Sequence, residues 1–373
     1  MAAPLAACCP LTPGAGAHLL AVSTMKYPNN LDLLRLLAAI GVMALHIADL
    51  SAQPALAFLH GFDTKIALSV FFVISGHLIF MSCERSHSLA DYAVRRARRI
   101  VPAYVVVVVA CALLGVLLST LPPGDYFGTT WLRYLVANLT FLNFIQPALP
   151  GVFTDNPYPG APVNGALWTI KVELMFYLVV PALVALCRRY GHHRVLGLGF
   201  VMGCLWWGGF MALAWHTGRG GFAEVAKQMP GQLMFFLPGA WAWYERERLA
   251  RWGHRVGVAG ALLLLLAYQW DQTRPTPGVF LYPLALTLCV FWAAHILRPL
   301  GDAARHGDLS YGIYIVHFPV IQTLVQLGVF GAAPLLGAGL ATAITVALAL
   351  LLWRHIEAPA LGRRASPASL SPV

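Results

Sequence analysis

The sequence predicts an all-α, polytopic transmembrane bundle of about ten spans with both termini cytoplasmic, and three observations carry that prediction. The first is composition: apolar residues make up 59% of the chain and charged ones 11%, against about 45–50% and about 25% in soluble domains. Mean hydropathy is +0.69. The second is length: apolar stretches of about 15 to 21 residues recur along the chain, enough to cross a hydrocarbon core of roughly 30 Å as helices. The third is charge, because the basic residues gather in alternate connections.

In order, the stretches fall near 31–50, 66–82, 100–120, 166–187, 195–215, 229–243, 256–270, 279–297, 309–327 and 333–352. The third and tenth are the least interrupted. The sixth and seventh are short and contain or adjoin Gly or Pro, which predicts tilt or a break. Connections carrying Arg95, Arg96, Arg98 and Arg99, then Arg188, Arg189 and Arg194, then Arg246, Arg248, Arg251 and Arg255, together with Lys26, Arg35, Arg85, Arg298, Arg305, Arg354, Arg363 and Arg364 on the same side, hold 19 of the 25 Lys and Arg. The positive-inside rule puts that side, and both termini, in the cytoplasm. It also accounts for the net charge of +10 as a topology signal, without a nucleic-acid partner.

Residues 1–24 are rich in Ala, Pro and Gly and lack a basic n-region, so they read as a disordered leader or as a misassigned start, with translation opening at Met25. Residues 25–364 form a single membrane domain, and the Ser- and Pro-rich 365–373 reads as a disordered tail. The one long connection, 121–165, lies outside; its apolar stretch 131–143 predicts a helix at the outer interface, and the Pro and Gly cluster from Pro147 to Pro162 predicts a loop. Seven cysteines, Cys8 and Cys9 among them, show no CxxC or Cys/His spacing and read as core residues, so no metal is predicted.

Ionisable groups within spans are costly, by about 2.5–3.5 kcal/mol or more at the bilayer centre, and mark candidate functional positions. His46, Lys171 and Glu173 are the three that stand out. Counting along opposite helices puts His46 and Glu173 at similar depth in the outer half. A carboxylate beside a histidine holds its tautomer and stabilises the imidazolium when it takes a proton from a hydroxyl; a polar pair that locks two helices together is the other reading. Arg35 precedes His46 by eleven residues, so the two share a helix face about 16 Å apart. Asp32, on the same face, offers Arg35 a simple ion-pair partner. The cluster from Arg95 to Arg99 serves topology, and is also a seat for phosphates, which guanidiniums grip bidentately.

These segments resemble the acyltransferase 3 family of bacterial membrane O-acyltransferases. Arg35 and His46 are similar to that family's Arg, ten residues, His signature, and Phe71-Phe72-Val73-Ile74-Ser75-Gly76 to its FFxxSG segment. Arg96 to Arg99 resembles its RxxR motif, and Trp168-Thr169 through Glu173 to Phe176-Tyr177 its W[ST]LxxExxFY element. Ser310-Tyr311, Tyr314 and His317 look like its SYxxYxxH element, and Trp353 to Pro359 its closing segment. His77 and Lys171 depart from the commonest pattern.

The resemblance implies an O-acyltransferase of the bacterial inner membrane that takes an acyl group, acetyl above all, from cytoplasmic acyl-CoA to a hydroxyl of a glycan, such as a surface polysaccharide or lipid-linked saccharide. It implies His46 as general base with Glu173 orienting it, or an acyl-His intermediate, and Arg35, Arg96 and Arg99 on the donor phosphates. Trp168 and Tyr177 would shape the pocket, and Ser75 and Gly76 would line the acyl path or pack helices. Tyr311 and His317 would lie nearer the inside, in donor contact or helix pairing. Competing readings are acylation of a glycosylated small molecule and a proton-coupled transporter or flippase, because a buried His/Glu pair with one basic mouth also describes a carrier.

Overall fold

A computed structural model describes residues 30–61, 64–158, 160–270, 274–300 and 307–362. The predicted leader, Met25, Cys8, Cys9, Lys26, Arg305 and the tail lie outside the described residues. All the regular structure among the described residues is helical.

The longer helices are α1 (Leu31–Ser51), α2 (Thr64–Glu84), α3 (Leu89–Leu114), α4 (Thr129–Leu139), α5 (Trp168–Tyr190), α6 (His192–Thr217), α7 (Met229–Tyr244), α8 (Arg246–Trp252), α9 (His254–Ala267), α10 (Pro277–His295), α11 (Leu309–Gln326) and α12 (Pro334–Leu352). Each of the ten predicted stretches falls largely on one of them. Seven helical segments are long and apolar enough to cross a membrane, and α8 with α9, bent by 93° at Gly253, makes eight if counted as one span. The chain is therefore a multi-pass membrane protein. Two predicted spans fall outside that count: α7 has 16 residues, and the 18-residue α11 carries the buried Ser310, His317 and Gln322 and Gln326, which is hydrogen-bonded to the Leu118 carbonyl.

α3 begins well before the predicted 100. Ser88 caps it, its hydroxyl accepting from the Asp91 N–H, so the helix nucleates there and the basic cluster rides on its first turns instead of in a loop. Near the other end of the chain, α12 passes into a π-helical turn, Trp353–Glu357.

α2 lies at the middle of the bundle, against α1, α5, α7 and α10, while α11 packs on α1, α3 and α12. Gly76 explains the tight α2–α7 crossing: a Cβ there would meet the Phe236 carbonyl oxygen at 1.9 Å. Small residues permit such backbone approach between membrane helices. That is the role the structure gives Gly76; Ser75 turns to the opposite side, into a cavity.

The connection 121–165 is anchored and dips into the bundle. α4 is tied to α3 by the Tyr104 hydroxyl, which donates to the Asn138 carbonyl at 2.9 Å. The remainder folds onto α11: the Asn156 amide donates to Gln322 Oε1 at 2.8 Å, and the buried Asn164 amide donates to the Ile315 carbonyl at 2.8 Å. Gly165 lies so close to the Phe318 ring that a Cβ would meet it at 2.8 Å. Residues 163–167 thus lie at the level of mid-α11, and α5 starts inside the bundle, not at its outer edge.

Candidate functional site

The arginines come together first. Arg35 from α1, Arg85 from the end of α2, and Arg95, Arg96, Arg98 and Arg99 from α3 line one cavity of about 490 Å³, with Ser75, Glu173, Tyr177, Asp32 and Asp308 completing the wall. Asp308 is the organising residue. Its Oδ1 accepts from the Ser310 N–H at 3.2 Å and the Ser310 hydroxyl at 2.5 Å, capping α11. Its Oδ2 takes Arg35 Nη1 at 2.5 Å and also the Arg99 guanidinium. Burial pushes this carboxyl up, but Arg35, Arg99 and the two Ser310 bonds outweigh that and hold it well below the usual carboxylate range. Arg99 also lies 3.6 Å from the buried Glu357.

Arg96 differs from these paired arginines. Its guanidinium sits 5.7 Å over the Tyr177 ring, and its buried Nε has no hydrogen-bond partner among the described residues. A buried charged donor left unpaired is costly, so this group is suited to an anion in the cavity. Glu173 accepts the Tyr177 hydroxyl at 2.7 Å.

Above this cavity, between α1, α2, α5 and α11, is a throat of about 50 Å³ that shares Arg35, Ser75 and Glu173 with it and continues past Phe71, Phe72, Ile170 and Tyr311 to Tyr314. Tyr314 closes the top, hydrogen-bonded to Thr169 at 2.7 Å and donating to the Ala166 carbonyl at 3.3 Å. Its ring centroid is 5.9 Å from that of His317.

Beyond Tyr314 stand the two histidines. His46 Nδ1 is 2.7 Å from His317 Nε2, and the rings stack with centroids 5.0 Å apart. His317 Nδ1 lies 3.0 Å from the Ile313 carbonyl, which can only accept. With both rings neutral, the His317 proton is therefore on Nδ1, its Nε2 accepts, and His46 donates through Nδ1. That leaves His46 Nε2 with the free lone pair. His317 is fully buried while His46 keeps some exposure, which is the arrangement of a base steered by a partner.

Two expectations about placement change. Glu173 is not beside His46: because residues 163–167 lie inside the bundle against α11, α5 starts lower than its apolar stretch suggested, and Glu173 lands level with Arg35 and Ser75. His317 is not nearer the arginine end but against His46. Of the remaining predicted residues, Tyr177 and Tyr311 line the lower cavity and the throat respectively, and the Tyr311 hydroxyl donates to the Ile100 carbonyl. Trp168 packs against the core at the start of α5 and lines neither space. Lys171 is turned away, its ammonium donating to Gln228 Oε1 at 2.7 Å. His77 packs on Trp243 and His295, outside the cavity. Asp308 was not singled out from the sequence, although an Asp just before an apolar helical stretch is a capping signal.

Elsewhere, His192, His193 and Glu245 hold their ligand atoms within 4.8 Å of one another. The Trp241 indole N–H donates to His193 Nδ1, and His192 Nε2 is hydrogen-bonded to Glu245 Oε1 at 3.0 Å, with His193 Nε2 3.4 Å from the same oxygen, so these contacts explain the cluster. A larger, mainly apolar cavity of about 610 Å³ lies along another face of α11, between α3 and α12; its walls offer hydrocarbon contact.

The family described as an acyltransferase domain matches residues 29–354. The chain is 29% identical to an O-acetyl transferase of Shigella phage Sf6, over 93% of this chain and 100% of that protein. It is 33% identical to Nodulation protein 10 of Rhizobium leguminosarum bv. viciae, over 91% and 94%. With the peptidoglycan O-acetyltransferase OatA of Listeria monocytogenes it shares 25% identity over 90% of this chain and 56% of that longer protein. No solved structure matches the chain significantly. The chain belongs to the acyltransferase domain family of multi-pass membrane proteins, and it is an acyltransferase.

Proposed function

We propose that the protein is an inner-membrane O-acetyltransferase that moves acetyl from cytoplasmic acetyl-CoA to a hydroxyl of a cell-surface or lipid-linked glycan. The observation that carries this reading is a polar path in which an arginine-walled cavity, a narrow throat and a histidine pair follow one another along α1 and α11. In this reading α7, α11 and the bent α8–α9 pair also cross, giving ten spans with both termini and the arginine end in the cytoplasm.

Coenzyme A brings a diphosphate and a 3′-phosphate. Arg96, with its unpaired Nε, and Arg35 and Arg99, set by Asp308, receive them bidentately. The acyl end rises past Ser75 and Glu173 into the throat. The acceptor comes from the side of the 121–165 connection, and its hydroxyl gives its proton to His46 Nε2 as the oxygen attacks the thioester carbonyl. The C–S bond then breaks, and the leaving coenzyme A thiolate takes that proton from the His46 imidazolium. His317 holds His46 in the tautomer this requires. The Tyr314 ring, between throat and histidines, has to move aside for the oxygen to meet the carbonyl.

The relatives named O-acetyltransferases support acetyl as the group, and the Listeria relative's peptidoglycan supports a glycan as the acceptor. The test compares O-acyl esters of envelope glycans, by mass spectrometry and proton NMR, in a deletion strain carrying wild type or equally expressed His46→Ala. An ester restored by wild type alone is the expected result. No ester difference between the strains would overturn the glycan reading and favour a small-molecule acceptor.

A further inference from the structure

We infer that the throat below Tyr314 sets the length of the acyl group, with Phe71 and Ile170 as the residues that limit it to two carbons; this rests on the acyl-CoA donor proposed above. The throat holds about 50 Å³. A cavity needs about 10–15 Å³ on this scale for one water-sized group, so the space admits about three to five non-hydrogen atoms. Counted with the thioester sulfur that every donor carries, an acetyl group brings four, a propionyl five and a butyryl six, so acetyl lies within this space, propionyl at its limit and butyryl beyond it.

Small volume alone does not give selectivity, since a soft wall would yield. Most of these walls are pinned. Tyr314, which closes the throat while the donor loads and moves aside only when the acceptor arrives, is held by Thr169 at 2.7 Å and by the Ala166 carbonyl, on the segment whose Asn164 is bonded to α11. Tyr311 is held by the Ile100 carbonyl at 3.0 Å. Phe72 stands edge-on against Phe176, which is itself stacked on Phe236 with centroids 3.9 Å apart. Widening the throat through these groups breaks hydrogen bonds or ring packing. Phe71 from α2 and Ile170 from α5, like Leu68, are apolar side chains with no hydrogen bond to lose. Phe71 meets Tyr314 edge to face at 5.6 Å, so it supports the roof and sets the width beneath it.

Discrimination against one extra methylene in an apolar pocket is typically about 10- to 200-fold. The test measures coenzyme A thiol release by the purified protein from acetyl-, propionyl- and butyryl-CoA, with envelope glycan extracted from a deletion strain as acceptor. Direct binding of acetyl-CoA is measured on the same preparations. Wild type should lose about tenfold or more in kcat/KM from acetyl to propionyl and more again to butyryl. Phe71→Ala, and independently Ile170→Ala in case the first fails to fold, should bring the three donors to within about threefold while acetyl-CoA still binds.

Equal use of butyryl- and acetyl-CoA by wild type would overturn the inference and leave the donor reading intact. So would an unchanged ratio in both variants. If wild type neither binds acetyl-CoA nor releases thiol from any of the three, the donor reading itself falls, and the inference with it.

Discussion

The two ends of the polar path differ in what they are made of. The arginine end is wide, about 490 Å³, and crowded with charge: six guanidiniums and three carboxylates line it. The histidine end is tight, with two stacked rings, one of them fully buried, and Phe318 edge-on to His46 at 5.3 Å. One end suits gripping a polyanion from water, where long charged side chains can adjust. The other suits moving one proton, where a ring must hold one tautomer and one direction. Separating them lets each be built from the residue type it needs, with the throat between to pass a small group.

That comparison can be broken in steps of decreasing size. His46→Ala should lower kcat by about 10²- to 10⁴-fold, the usual range for a lost general base, with little change in donor affinity; steady-state kinetics on the purified protein decide it. His317→Gln, which removes the imidazole pair but not the polarity, should lower kcat by about tenfold or more and again spare KM for the donor. A rise in KM with kcat intact would place His317 in donor binding instead.

Asp308→Ala leaves Arg35 and Arg99 without the carboxylate between them. Removing one partner of a buried ion pair costs about 3 kcal/mol or more, so the variant should unfold at a clearly lower temperature in detergent. The pH dependence has a defined sign: Asp308 is held below its unfolded value, so its contribution is fully present above a carboxylate's ordinary pKa near about 4. It fades only as pH falls from there toward the depressed native value. A stability gap between wild type and Asp308→Asn that stays constant through that acid range would contradict the ion pairing.

Arg96→Lys keeps the charge and loses the fork that grips a phosphate; an increase of several-fold in donor KM at unchanged kcat is expected. At the bottom of the scale, Lys171→Met removes the contacts to Gln228 and to the Phe144 ring, both away from the cavity, and should change kcat/KM by less than about twofold. A larger loss would mean that the polar path extends to that side of α5.

Much of the arginine end was legible in the sequence, because its residues are set by short-range spacing on single helices. Arg96 and Arg99 share a face of α3, and Arg35 lies at the start of α1, so their convergence needed only the right depth. The histidine end was half legible. His46 stands out as a polar group in an apolar helix, but its partner does not follow from depth, because α5 begins inside the bundle and not at the outer edge from which its apolar stretch sets the count. Nothing in the composition of 151–167 says that it folds inward to Ile315; that depends on Asn164 and Gly165 meeting α11, a contact far apart in the chain. The same blindness hid Asp308, whose role is created by two arginines from other helices. Helix existence and order were readable from hydropathy, yet α11 shows where hydropathy thins out: the helix that carries His317 is also the one whose polar residues dilute its signal.

The central claim is that donor capture and proton transfer belong to different ends of one path. Equilibrium binding of acetyl-CoA to wild type, His46→Ala and Arg96→Ala tests it most directly, with no acceptor needed. The account predicts that His46→Ala binds within about twofold of wild type while Arg96→Ala binds about tenfold or more weakly, the loss expected for one charge-assisted phosphate contact. Unchanged binding in Arg96→Ala with a large loss in His46→Ala would contradict it and move the donor's phosphates to the histidine end.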